Sequence, residues 1–421
     1  MSARPSSRSV PFLILAAIAA RNLARHGRRS ALTGICVAAS AAAVVAFMGF
    51  YRGTYDEMFY ASVIDYQTAH AQMQSPGLDV EDLSGWARPA SAIVGWEGAV
   101  AATRRLPSVK GVSARLEFPC FVGDGVEKMP ALMAGLDFEA ERDVTVFCSR
   151  LITGGFPSGR GEALVGSGLA SLFSLSPGSV FFVQASNSRG NPNIQRFTVS
   201  GIFRTGFSSL DSSFAALSLA DAQELLDAGD AVNRIYVKLD SASSVGKAMP
   251  GIGAAAALCG AEARPWTSYA KEAIDHTKTE SVFYYVFLAI LVVMSSSAIA
   301  STMRMAAFER VREIAAMRAT GWTRADLFSL FCLESAAIGL LGSAAGALLG
   351  GAFSALLRAF PIDVAAMGKA IDYPFFAMTS SSRPMDFALA AFIGVGAAVI
   401  AGAGPARKAA RTNIVKALQG R

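Results

Sequence analysis

Residues 304–324 read RMAAFERVREIAAMRATGWTR. The stretch is rich in strong helix formers. It places Phe308, Val311, Ile314 and Ala315 at the spacing of one helical face, and Gly321 stands where a left-handed residue would end the helix. Charge-free windows flank it, residues 281–303 before Arg304 and residues 335–357 after Glu334. Each is long enough to cross a bilayer, which takes roughly 20 residues of helix. A simple connector between two spans needs only a few residues. The length and the arginines therefore leave two readings: an amphipathic helix lying in the membrane interface, or a helix that docks a partner.

Two more windows of this kind occur, residues 30–51 between Arg29 and Arg52, and residues 387–406 between Asp386 and Arg407. The first is too long for the apolar core of a signal peptide and lacks a small-residue cleavage site, so it reads as a retained span. Composition agrees: 52% of the 421 residues are hydrophobic and 17% are charged, against about 25% charged in soluble domains. That excludes a disordered chain and a disulfide-built mini-protein. The charge distribution sets an expected orientation. Residues 1–29 hold six arginines and no acid, residues 304–326 hold five arginines and three acids, and residues 407–421 hold five basic residues and no acid. Positive residues gather on the cytoplasmic side, so both termini and the 304–326 segment are expected there. The insertion 52–280 and the loop 358–386 are expected outside. The net charge of +6 is then a topology signal, and no nucleic-acid partner is needed to explain it.

The insertion alternates strand and helix signals. RFTVSGIF (196–203) and NRIYVKL (233–239) alternate polar and apolar residues, as half-buried strands do. Asp124-Gly125 between apolar residues predicts a hairpin turn. SLADAQELL (218–226) reads as a helix with Ser218 at the N-cap, Asp221 at N3 and Gly229 beyond the end. Pro177-Gly178 separates a short helix from a strand at 179–183. TGGFPSGRG (153–161) is a candidate lobe boundary. Helical patterning extends past the first span to about Ile64 and precedes the second from Ser268. Residues 268–303 as one helix would measure about 54 Å at 1.5 Å per residue, more than the ~30 Å hydrocarbon core, so both helices are expected to project as stalks.

Much familiar chemistry is absent. The sequence holds no G-x-x-x-x-G-K-[ST] loop, no G-x-S-x-G elbow and no H-E-x-x-H pair, so no phosphate cradle, serine nucleophile or zinc site is expected. His26, His70 and His276 show no ligand spacing, and no catalytic residue or metal site is predicted. Cys36, Cys120, Cys148, Cys259 and Cys332 form no C-x-x-C pair and are expected mostly as free thiols. Glu334 is the one intramembrane acid, expected to snorkel or to pair with an arginine of the adjacent loop. Gly342, Gly346 and Gly350 form a double G-x-x-x-G that lets helix backbones approach closely. Residues 394–404 add four more glycines.

FERVREIAAMRATGWTRADLFSLFCLESAAIGLLGSAAGALLG, together with LAAIAARNLARHGRRSALT and PARKAARTNIVKALQG, resembles the signature of FtsX/MacB-type ABC transporter permeases. VSGIFRTGFSSLDSSFAALSLADAQELLDAG resembles the periplasmic domain of the lipoprotein-releasing, LolC/LolE-type branch. The resemblance runs from about Leu15 to Leu418. It implies a membrane α-helical protein of four transmembrane helices with a large α+β periplasmic domain, porter plus Sabre-like lobes, between the first and second. The chain would then divide into an amphipathic N-terminal helix (1–29), the first span and stalk (30–64), a porter-like lobe in two parts (65–155 and 232–267) around a Sabre-like lobe (156–231), the second stalk and span (268–303), a cytoplasmic coupling helix (304–326), the third span (327–357), a short periplasmic loop (358–386), the fourth span (387–406) and a cytoplasmic tail (407–421).

The resemblance further implies that Glu309, Arg310, Arg312, Glu313, Met317, Arg318 and Gly321 rest on a separate cytoplasmic ABC ATPase dimer. That dimer, not this chain, would bind ATP and Mg. A second permease protomer, identical or homologous, would complete the membrane part, in contact with lipid and with a periplasmic carrier or outer-membrane partner. The chain itself would not be an enzyme. It would reside in a bacterial inner membrane and serve lipoprotein release or export of a hydrophobic cargo, with an acyl-chain cavity at Phe47, Phe50, Tyr51, Phe283, Tyr284 and Phe287. Those aromatics read equally well as interface-belt residues. The alternative in another class is a signalling or scaffold subunit that activates periplasmic hydrolases without moving cargo. A stand-alone receptor without an ATPase fits the coupling-helix pattern less well.

Overall fold

The computed structural model describes residues 10–25, 27–76, 92–206, 208–363 and 377–411. Residues 1–9 of the N-terminal segment, 364–376 of the 358–386 loop and 412–421 of the tail lie outside them. In chain order the first elements are α1 (Phe12–Arg25) and α2 (Gly27–Tyr51). Helical turns of π type follow at Arg52–Phe59 and Ile64–Thr68, around the single turn α3 (Tyr60–Val63). Next come β1 (Ala71–Gln74), α4 (Trp96–Arg104), β2 (Val109–Gly123), β3 (Lys128–Leu136), α5 (Phe138–Glu141), β4 (Leu151–Gly154), β5 (Glu162–Gly166) and α6 (Ser167–Leu172). They are followed by β6 (Val180–Ser186), β7 (Pro192–Phe203), α7 (Ser208–Ser213), β8 (Phe214–Ser218), α8 (Leu219–Leu226), β9 (Arg234–Leu239), α9 (Val245–Ala257), β10 (Glu262–Pro265) and α10 (Trp266–Tyr269). The last helices are α11 (Lys271–Glu309), α12 (Val311–Ala319), α13 (Arg324–Ala359) and α14 (Pro384–Ala410).

The chain separates into two compact units. One, residues 57–276 with 363–377, is an α+β body around a ten-stranded sheet in the order β10-β1-β9-β2-β3-β8-β5-β7-β4, with β6 paired to β2 and β7. The long strand β2 organises it. Its first half pairs antiparallel with β9, its second half with β3 through the hairpin at Asp124-Gly125. Asp124 Oδ1 closes that turn by accepting from the amides of Val126 and Glu127. Apolar residues of the first half share a core with β1, β9 and α9, among them Met73, Val112, Ile235, Val237 and Ile252. The second half shares another core with residues 163–226, among them Phe118, Met133, Phe181, Phe197 and Leu225. Ser218 caps α8 as its sequence predicts, accepting from Asp221 N, and Asp227 ends the helix in the left-handed region. The five cysteines are free.

The other unit falls within residues 1–56, 277–362 and 378–421, and its described residues are mostly helical. Among the described residues four helical stretches are long and apolar enough to cross a membrane: Ser30–Tyr55, Thr277–Glu309, Arg324–Ala359 and Pro384–Ala410. They coincide with the four charge-free windows. Gly342, Gly346 and Gly350 lie on the face of α13 that meets α2. A Cβ at Gly346 would stand 2.2 Å from the Ala38 carbonyl oxygen, and one at Gly350 2.6 Å from that of Ala42. The backbones therefore pass within a distance that only glycine permits.

Two expectations are corrected. The helix that carries the second span does not end near Met303 but continues unbroken to Glu309. Nor is 304–324 one helix. Arg310 leaves helical geometry at φ −103, ψ 16, and α12 begins after it. The break turns Phe308 away from the face it was expected to share: Phe308 is 69% exposed, while Ile314 and Ala315 are buried. Gly321 takes φ +102 and closes the segment as expected.

Candidate functional site

The turn from α11 through α12 into α13 is built on buried contacts within the helical unit. Ile314 packs with Leu327, Phe331, Ala406 and Ala409, and with half-buried Met317 and Trp322. Met317 and Trp322 also meet Leu15, Ala19 and Leu330, which brings α1 under the same turn. The N-terminus of α13 carries a capping box. Thr323 Oγ accepts from Asp326 N at 3.1 Å, and Asp326 Oδ2 accepts from Thr323 N at 2.8 Å. Such a box satisfies two otherwise orphaned amides. Asp326 Oδ1 also accepts from Val10 N at 3.3 Å. Arg318 Nη1 donates to the Trp322 carbonyl at 3.0 Å and ties the two ends of the turn.

The seven predicted coupling residues part into two groups. Glu309, Arg312, Glu313 and Gly321 are exposed. Arg310 is 7% exposed; Met317 and Arg318 are half-buried. Arg310 donates through Nη1 to Glu334 Oε1 at 3.1 Å and through Nε to Glu313 Oε2 at 3.0 Å. Its guanidinium stands 6.0 Å from the Phe331 ring centroid. The sequence reading of Glu334 as the partner of a loop arginine is thus met by Arg310. It missed Asn22, whose Nδ2 donates to the same Glu334 oxygen at 2.6 Å. Nothing in the local pattern of α1 marks that residue, which stands 312 positions away.

Four of the aromatic residues proposed around a cavity pack ring on ring. Phe47 lies 5.0 Å from Phe287 and 6.1 Å from Tyr284, and Tyr51 lies 5.6 Å from Tyr284. Tyr55, not singled out in the sequence, stacks on Tyr51 at 5.1 Å. Phe283 is 72% exposed and Phe50 half-buried. A cavity of 890 Å³ opens elsewhere in this unit, among small apolar residues of α1, α2 and α13 such as Ala20, Gly34 and Ala337. Among the described residues no group of His, Cys, Asp and Glu is arranged to hold a metal ion.

The MacB-like periplasmic core domain matches residues 30–255, more than half of the chain, and the FtsX-like permease C-terminal domain matches residues 285–414. The chain belongs to the FtsX/MacB-type family of ABC transporter permeases. The second match contains α12 and its contacts on α13 and α14, but not α1. Permeases of this family are membrane subunits of ABC transporters. Relatives include the lipoprotein-releasing system transmembrane protein LolC of Xylella fastidiosa (strain Temecula1), 25% identical over 74% of this chain and 71% of that one. LolC of Neisseria meningitidis serogroup B is 23% identical over 50% of this chain and 53% of that one. The ABC transporter permease YtrF of Bacillus subtilis is 39% identical over 31% of this chain and 30% of that one. Among solved structures, the extracellular domain of the ABC-type transporter YknZ aligns with a TM-score of 0.34 at 15% identity, over 46% of this permease and 98% of that domain. The periplasmic region of MacB from Actinobacillus actinomycetemcomitans aligns with a TM-score of 0.34 at 11% identity, over 51% and 95%.

Proposed function

We propose that this permease is the membrane subunit of a mechanical ABC transporter. A separate ATPase dimer hydrolyses ATP with Mg, and the permease turns that cycle into motion of residues 57–276. Two protomers, identical or homologous, sit on the ATPase pair. The observation that carries the reading is the α12 turn: a helix seated on α13 and α14 through Ile314 and Met317 that presents Arg312 and Glu313 to solvent. A buried seat makes the helix stiff enough to take a push, and an exposed charged face gives a partner something to grip.

The basic surplus of residues 1–29, 304–326 and 407–421 supports placing both termini and α12 in the cytoplasm. Residues 57–276 then face the periplasm of an inner membrane. The cargo we favour is a lipidated protein, on the strength of the LolC relatives. Exposed Phe283 and Phe287, beside the packed Phe47–Tyr284 cluster, offer the apolar surface for its acyl chains. A carrier or outer-membrane partner would receive the cargo. The test is purification of the intact complex from its own membranes, with photocrosslinking from Phe283. Capture of a lipidated protein supports the cargo assignment. An ATPase-bound complex that captures none, yet activates a periplasmic hydrolase, would establish the scaffold alternative.

A further inference from the structure

We infer that Arg310, Glu334 and Asn22 form a positioning latch that passes movement of α12 to the third span and to the N-terminal helix. The inference rests on the docking role proposed for α12 and says what happens beneath it. It also changes the role of Arg310, from a contact residue on the docking face to a strut behind that face.

The geometry is that of a fork. One guanidinium holds two carboxylates of opposite exposure: Glu313 is 57% exposed by its side chain and Glu334 5%. A partner that binds Glu313 competes for, or tightens, the guanidinium that also holds Glu334. Glu334 sits in α13, and the oxygen that accepts from Arg310 also accepts from Asn22 of α1. The chain breaks at Arg310, so α12 can swing while α11 stays straight. A buried carboxylate cannot let its cation go without an uncompensated charge, so α13 and α1 follow where Arg310 moves. A simple helix connector would need no buried charge here. Leu23, Met303, Ala306 and Ile338 beside it are apolar, and Ser30 and Thr302 add two hydroxyls to the same pocket.

The experiment measures hydrogen exchange on the purified permease–ATPase complex, with and without vanadate trapping. In the unmodified complex, trapping should change exchange in 311–321 and also in α1. In Glu334→Gln, which keeps the shape and an acceptor for Asn22 but removes the charge, the ATPase should still co-purify. The change should then be confined to 311–321. If Glu334→Gln does not assemble, Asn22→Ala, which removes one hydrogen bond, should weaken the response of α1 alone. Trapping that leaves α1 unchanged in the unmodified complex, or changes it equally in the variants, overturns the latch. Absence of any ATPase from the unmodified complex overturns the docking role instead.

Discussion

Arg52, the residue after α2, and Asp386 in the first turn of α14 form a two-point ion pair, Nη1 to Oδ2 at 2.6 Å and Nη2 to Oδ1 at 3.0 Å. The carboxylate is 2% exposed by its side chain. Asp386 also accepts from the Arg383 amide, and Arg52 donates to the Ser381 carbonyl. This clamp ties the first span to the fourth where α2 changes to π-type turns. Removing one partner of a buried pair strands the other charge, at a cost of about 3–5 kcal/mol. Asp386→Ala should therefore lower the melting temperature of the detergent-solubilised permease sharply, while a surface pair such as Arg160–Glu224 should contribute within about 1 kcal/mol. Equal effects at the two sites would show that the clamp is not desolvated.

The glycines of the spans should differ by location. Gly346→Ala drives a methyl group into the Ala38 carbonyl, a backbone atom that cannot rotate away. Overpacking of this kind costs about 1–3 kcal/mol. Gly396→Ala and Gly404→Ala meet nothing within 4 Å and should be neutral or slightly stabilising through helix propensity. Yields of folded protein and melting curves for the three variants check the contrast, and an unchanged Gly346→Ala would remove the close α2–α13 approach.

His70 gives the α+β body a pH dependence. Burial first, then the facing Lys238, push its imidazole down from the usual 6.5 to about 4, against Asp65 and Asp240, which raise it; Lys110 adds a smaller downward push. Its Nδ1 accepts from the Leu239 amide at 3.2 Å, so the neutral form is the one built in. Because the folded value lies below the unfolded one, the unfolded chain takes up a proton between pH 6.5 and 4 that the folded chain refuses. Stability therefore falls as the pH drops through that window. His70→Gln should flatten the dependence in melts at pH 7 and 4.5. An identical slope in both proteins would assign it to other groups.

Cys120 and Cys148 are buried, and burial pushes both thiols up to about 12. The thiolate is the nucleophile, so iodoacetamide at pH 8 should leave both unmodified in the native permease and label both after denaturation. Prompt native labelling would mean that these cores open.

The four spans were legible because long charge-free runs have no soluble alternative. The strand 196–203 and the Ser218 cap were legible because their signals are local. The break at Arg310 was not. No proline or glycine marks it, and its partner Glu334 lies 24 residues on. The alternation of 233–239 gave no sign of the burial of Arg234. In the structure β9 is covered on both sides, and Arg234 is buried against Glu117. Arg115 is likewise buried, held by Glu117 and Glu141, with Tyr236 donating to Glu117. Partners far off in the chain, 26 residues for Arg115 and Glu141 and 312 for Asn22 and Glu334, leave no periodic trace, which is why these contacts went unread.

The central claim is that the exposed face of α12 meets a separate ATP-binding subunit. The direct measurement is a photocrosslinker at Arg312 in the native membrane, with a second at exposed Val126 of the β2–β3 turn as control. The account predicts that Arg312 captures an ATP-binding subunit and Val126 does not. Failure of Arg312 to capture one, in membranes where the permease is folded and active, would contradict it.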